Sequence, residues 1–248
     1  CEKPMALNAE EGEQMVQACD ANGVKLMVCY YQRFNRRHQK IKELLDAGEI
    51  GRVTAVRLNF SSLNPDEPGA WRQAPELGGG GNLMDCGSHC VDLIRFLVGE
   101  MTQVSALVDT LAFGYPVDDT ATMLLKLDNG SQAVVSTHWS TLIPDDQESA
   151  ALAIYGTEGT ILSAPLHEKL SRGTLRVLTA KGETEYHFEQ SAHVAMLEAF
   201  ADSVEHDTPL PMTGRDGVIV SKVIAAAYES AAQGRAVNIE PETAESDR

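Results

Sequence analysis

The spacing of apolar positions divides the 248-residue chain into three regions. Near the start, Met15, Val16, Ala18 and Cys19 recur at helical spacing. Asn8 stands where an N-cap would accept a backbone N–H, and Glu10, Glu11 and Glu13 follow at the positive end of the helix dipole. Asn22-Gly23 ends the helix. The short apolar run at residues 25–30, KLMVCY, then predicts a buried parallel strand. A helix leading into such a strand is a piece of doubly wound α/β architecture. One strand makes no sheet, so this piece implies further strands upstream.

From residue 32 onward the pattern differs. A helix over residues 35–47 closes at Gly48, and Gly51 opens a strand over 52–60. In that strand Val56, Leu58 and Phe60 alternate with Arg57 and Asn59, which buries one face and exposes the other. More strands are predicted at 103–110, 120–127, 132–139, 151–155, 174–179 and 184–188, with turn signals at Asp128-Asn129-Gly130 and Lys181-Gly182. Helices follow over 193–205 and 217–233, the second closed by Gly234. Short turns between strands predict a large, mostly antiparallel open sheet with helices mainly on one face. The fold class is therefore α/β: a remnant of a doubly wound domain (1–31), a large α+β domain (32–240) and an acidic tail (241–248). The strand at 132–139 carries apolar residues on both sides, so the uncovered face predicts a homodimer or homotetramer.

Composition narrows the partners. The net charge is −16, concentrated after residue 60, and such a body repels phosphate backbones, so nucleic acid is not expected. Arg33, Arg36, Arg37, Lys40 and Lys42 form the one basic cluster, read as a solvated helix face in preference to a phosphate site. No apolar stretch reaches the ~20 residues a membrane span needs. Five cysteines without a disulfide-rich pattern fit a reducing, cytoplasmic compartment. The chain opens with Cys1, not Met, and its first residues are expected to continue a longer protein.

Candidate chemistry concentrates in residues 77–99, LGGGGNLMDCGSHCVDLIRFLVG. Four successive glycines leave a backbone that a ligand can approach closely. If the following turn is helical, Asp85 and His89, four apart, share a face and can hydrogen-bond. A carboxylate on one imidazole nitrogen leaves the other free to take a hydroxyl proton. Plainer readings stay open: a core histidine, a capping aspartate, or a zinc cluster of Asp85, Cys86, His89 and Cys90, although adjacent ligands on one turn point apart. Asp92 reads as structural, paired with a backbone group.

Cys1-Glu2-Lys3-Pro4 is uninformative alone, but a lysine before the last units of a doubly wound sheet lies near the ligand crevice. Glu2-Lys3-Pro4, the helix and strand after it, Gln32-Arg33-Phe34-Asn35, the Asp-x-x-x-His of Asp85 and His89, Trp71-Arg72 and the closing Tyr228-Glu229-Ser230 resemble the Gfo/Idh/MocA oxidoreductases. The resemblance covers essentially the whole chain. It implies a Rossmann domain binding NAD or NADP, joined to a C-terminal domain that handles a sugar, inositol or related polyol. On it, Lys3, Asp85 and His89 are catalytic. His89 accepts the hydroxyl proton, Asp85 orients His89, and Lys3 stabilises charge on the reacting oxygen. Glu2, Lys3 and Pro4 flank the cofactor, while Arg33, Trp71 and Arg72, with Asp85 and His89, contact substrate. No metal is implied. The sequence contains no G-x-G-x-x-G, so the resemblance places the pyrophosphate loop upstream. A non-catalytic protein on the same scaffold is the alternative. The glycine-rich segment and His89 are expected at the sheet edge, facing residues 1–4.

Overall fold

The computed structural model describes residues 1–141, 151–166, 173–189 and 191–240; the predicted acidic tail lies outside these. Helix α1 (Ala9–Ala21) begins where Asn8 accepts the Glu11 N–H, as its sequence requires. Helix α2 (Arg36–Asp46) is capped in the same way by Asn35, which accepts from Arg37, and a single turn, α3 (Pro75–Gly78), follows later in the chain. Residues 25–30 form no strand among the described residues. A ladder needs a neighbour, and here Cys1 supplies only one rung: its amino group donates to Met27 O, and Cys29 N–H donates to Cys1 O, both at 2.8 Å.

Nine strands build one open sheet. They are β1 (Val53–Ser61), β2 (Met101–Asp109), β3 (Thr120–Leu127), β4 (Gln132–His138), β5 (Leu152–Gly156), β6 (Gly159–Ala164), β7 (Thr174–Thr179), β8 (Gly182–His187) and β9 (Val237–Asn238). Their order is β8-β7-β6-β5-β1-β4-β3-β2-β9. Only β1 and β4 run parallel; every other pairing is antiparallel. Strands β6 and β9 were not anticipated: β6 follows β5 after only two residues, so the two read as one segment, and β9 has two residues.

Alternation sets the two faces. Val56 and Leu58 of β1, Met123 and Leu125 of β3 and Ala133 and Val135 of β4 are buried beneath the helices. There lie a turn of π-helix (Leu83–Gly87) running into α4 (Ser88–Leu97), and α6 (Gly214–Gln233), which also packs on α1. The opposite face bears Leu107, Leu124 and Val134, all exposed. Helix α5 (Ala192–Glu205) packs on a 3-10 turn at Tyr31–Phe34.

The basic cluster does not form a single solvated face. Arg36 is exposed, but Arg37 is wholly buried, donating to Pro165 O at 2.6 Å and to Ser163 Oγ at 3.4 Å. Its guanidinium finds fixed acceptors at the end of β6, which a charge pattern cannot reveal. Next to it, His38 is buried and contacts Gln32 O at 2.9 Å; burial, and then Arg37, push its pKa down to about 3, so it is a neutral core histidine.

Candidate active site

Because β1 and β4 run parallel, their C-terminal ends open on the same side, the usual place for ligands in sheets of this kind. A cavity of about 350 Å³ lies there. Phe60 at the end of β1 and Trp139 just beyond β4 form part of its wall, as do Ser62, Leu63 and Asn64. The two strand ends are tied by Asn64 N–H to Trp139 O (2.8 Å) and Ser62 N–H to His138 O (2.8 Å). The π-turn touches β1, β3 and β4, so the glycine-rich segment sits over central strands and not at the sheet edge. Its position depends on β1 being central, a long-range pairing that local pattern does not encode.

The glycines serve close contact within the chain. A side chain on Gly81 would meet Asp118 O at 2.0 Å and Asp118 N at 2.6 Å. One on Gly80 would meet the Tyr228 hydroxyl at 2.3 Å. That approach lets the Asp118 carboxylate accept from Gly81 N–H (3.0 Å), Leu83 N–H (2.6 Å) and the Tyr228 hydroxyl (2.7 Å). Asp118 thus caps the helical segment from a distant loop. Burial raises its pKa, with those three donors opposing. The sequence reading assigned the close approach to a ligand; the structure assigns it to Asp118 and Tyr228.

Lys3, Asp85 and His89 all line the cavity. Lys3 Nζ forms an ion pair with Asp85 Oδ1 and donates to Asp85 O at 3.0 Å. Arg72 Nε stands 3.6 Å from Asp85 Oδ2. The carboxylate therefore faces two cations, and no hydrogen bond joins it to His89 among the described residues. His89 is instead surrounded by rings. Tyr31 meets it edge-on at 5.1 Å, Phe60 at 5.6 Å and Tyr30 at 6.2 Å.

Of the other anticipated residues, Arg72 lines the cavity, and its guanidinium lies over the Trp71 ring at 4.3 Å. Trp71 faces a neighbouring cleft of about 580 Å³, shared with Glu2, Lys3 and Pro4. Lys3 therefore borders both spaces. Arg33 borders neither. Its guanidinium grips buried Asp92 (2.6 to 3.1 Å) and Asp216 (2.9 Å), tying the 3-10 turn to α4 and α6. Asp92 is thus structural, but its partner is a side chain rather than the backbone. Tyr31, Phe60 and Trp139 were missed, since single aromatics at strand or turn ends resemble ordinary core residues. Among the described residues, the one group of potential metal ligands that converges is Asp202, Glu205 and His206, exposed at the end of α5. Asp85, Cys86, His89 and Cys90 do not.

The open α/β sheet thus gathers a lysine, an aspartate and a histidine at the ends of its one parallel pair. The profile of the GFO/IDH/MocA C-terminal domain matches residues 38–162, and the chain belongs to that family. It is 30% identical to a D-xylose 1-dehydrogenase (NADP(+)) of Haloferax volcanii, over 97% of this chain and 72% of that protein. It superposes on an aldose-aldose oxidoreductase of Caulobacter crescentus complexed with glycerol with a TM-score of 0.87 at 26% identity, covering 96% of this chain and 71% of that one. An oxidoreductase of Agrobacterium radiobacter in complex with NAD+, L-tartaric acid and magnesium superposes with a TM-score of 0.82 at 26% identity, over 96% and 72% of the two chains.

Proposed function

We propose that the chain is the catalytic part of an NAD(P)-dependent oxidoreductase that interconverts a carbinol and a carbonyl on a sugar, inositol or related polyol. The observation that carries this reading is the convergence of Lys3, Asp85 and His89, from separate turns, on one cavity that Lys3 joins to a second cleft. The relatives' names, which specify sugars and nicotinamide cofactors, support the class. The second cleft fits a flat ring: Pro4, Met15, Trp71 and Leu77 give apolar walls beside the polar ends of Glu2 and Lys3. Glu2, Lys3 and Pro4 would flank the cofactor there.

A nicotinamide bound in the second cleft would supply the hydride acceptor. His89 takes the hydroxyl proton as the carbinol carbon loses hydride, leaving a carbonyl; the reverse direction returns both. Lys3 donates to the reacting oxygen and offsets its developing charge. In this geometry Asp85 holds Lys3 rather than His89, with Arg72 as its second cation. Tyr31, Phe60 and Trp139 exclude water and offer apolar faces to the C–H side of a sugar ring. Trp71 and Arg72 would shape the substrate's entrance; Arg33 holds the scaffold behind it. The exposed sheet face with Leu107, Leu124 and Val134 fits assembly as a homodimer or homotetramer. No described helix is long and apolar enough to cross a membrane.

A panel of sugars, inositols and polyols, offered with NAD+ and with NADP+ to the full-length protein, tests the reading through the absorbance of reduced nicotinamide. Turnover of at least one polyol that Lys3→Met reduces by roughly 10-fold or more supports it. Activity independent of Lys3, or none on any member with either cofactor, contradicts it.

A further inference from the structure

The surroundings of His89 point beyond the residues already assigned. On the reading that His89 is the proton acceptor, the rings packed around it bear on its orientation, while Asp85 faces Lys3 and Arg72. Tyr31 is the nearest of three rings around it, at 5.1 Å and 72°. Tyr31 is itself held. His193, in the first turn of α5, stacks on it at 4.1 Å with the planes 23° apart. The three rings form a column, His193 on Tyr31 and Tyr31 against His89. It links a helix more than 100 residues later in sequence to the proposed proton acceptor.

The column has a physical function available to it. Ring pairs in these geometries favour particular orientations beyond simple burial. Tyr31 starts a 3-10 turn that α5 packs against, so its backbone and its ring are both fixed from that side. His193 does not line the cavity, whereas Tyr31 and His89 do. The stack on Tyr31 gives His193 a route to the cavity.

We propose that His193 is a positioning residue: by stacking on Tyr31 it fixes the orientation of the His89 imidazole for proton transfer. Another flat ring at this position would keep the stack.

The test compares His193→Ala, His193→Leu and His193→Phe in the full-length enzyme, with His89→Asn as control. Loss of the stack should lower kcat about 3- to 10-fold in the Ala and Leu variants, the equivalent of one ring pair, with KM within about 2-fold. The Phe variant should restore kcat, and the acidic limb of the pH–rate profile should move only in the variants that lack a ring. Unchanged kcat in both Ala and Leu variants that fold normally would overturn the proposal. So would a loss that Phe fails to rescue, which would mean a hydrogen bond or charge is at work. Should the Ala variant not fold, the Leu variant, which keeps bulk without a ring, decides. If His89→Asn retains full turnover, the reading of His89 itself fails; if it is inactive while the His193 variants are normal, only the column is refuted.

Discussion

Substituting Gly81 with alanine separates the two roles the glycine run could have. The added carbon would lie 2.0 Å from Asp118 O and 2.6 Å from Asp118 N, both backbone atoms, so no side-chain rotation relieves the clash. The π-turn and the Asp118 loop must move apart. Overpacking of this kind costs about 1–3 kcal/mol. Separation also weakens the Gly81 and Leu83 N–H bonds to the Asp118 carboxylate, now 3.0 and 2.6 Å long, each contributing about 1.5–3 kcal/mol as bonds to a charged group. Partial loss of both brings the total to about 3–6 kcal/mol. In a chain of this size that lowers Tm by roughly 6–24 °C. Gly69→Ala is the control: it has positive φ but no atom within 4 Å, so only backbone strain of about 1 kcal/mol is expected. Thermal unfolding followed by circular dichroism, with denaturant titration for the free energy, reads both. A Gly81→Ala variant as stable as wild type, yet poor in binding ligand, would refute the reasoning and return the glycines to a ligand role.

Two further outcomes test other parts of the structure. Burial pushes the Asp92 carboxyl from its ordinary 3.8 up to about 6, against the pull of Arg33. The native state therefore holds this proton more tightly, and the stability it contributes is present below about pH 4 and lost as pH rises through about 6. Asp92→Asn should remove that slope, so the denaturant midpoints of variant and wild type should change relative to each other between pH 4 and 6.5; parallel curves would contradict it. On the open sheet face, Leu124 lies between Ser105 and Val134 in the cross-strand row, and Leu124→Glu should convert an oligomer to monomer by light scattering. A wild type that is already monomeric would sink that expectation.

Much of this architecture is written locally. Asn8 and Asn35 announce α1 and α2 because caps act over three residues, and the alternation in β1, β3 and β4 gives their buried faces. Long-range geometry is not local. Nothing in residues 53–61 says that they lie parallel to residues 132–138, yet that pairing places the cavity. The i, i+4 spacing of Asp85 and His89 could not show that the carboxylate turns to Lys3 and Arg72, which reach it from distant parts of the chain. Arg33 and Arg37 look like surface charges until Asp92, Asp216 and Pro165 O are seen around them. The set of Lys3, Asp85 and His89 came from motif resemblance, and the fold brings all three to one cavity.

The most direct test of the account is the turnover of His89→Asn in the full-length protein, on whichever polyol the substrate panel identifies. Asparagine keeps a similar size and a polar end but cannot take the hydroxyl proton. The rate of reduced-nicotinamide formation should fall by a factor on the order of 10² to 10⁴, with dinucleotide affinity little changed. A rate within a factor of two of wild type would make His89 a caged core histidine and leave the family's fold here without its chemistry.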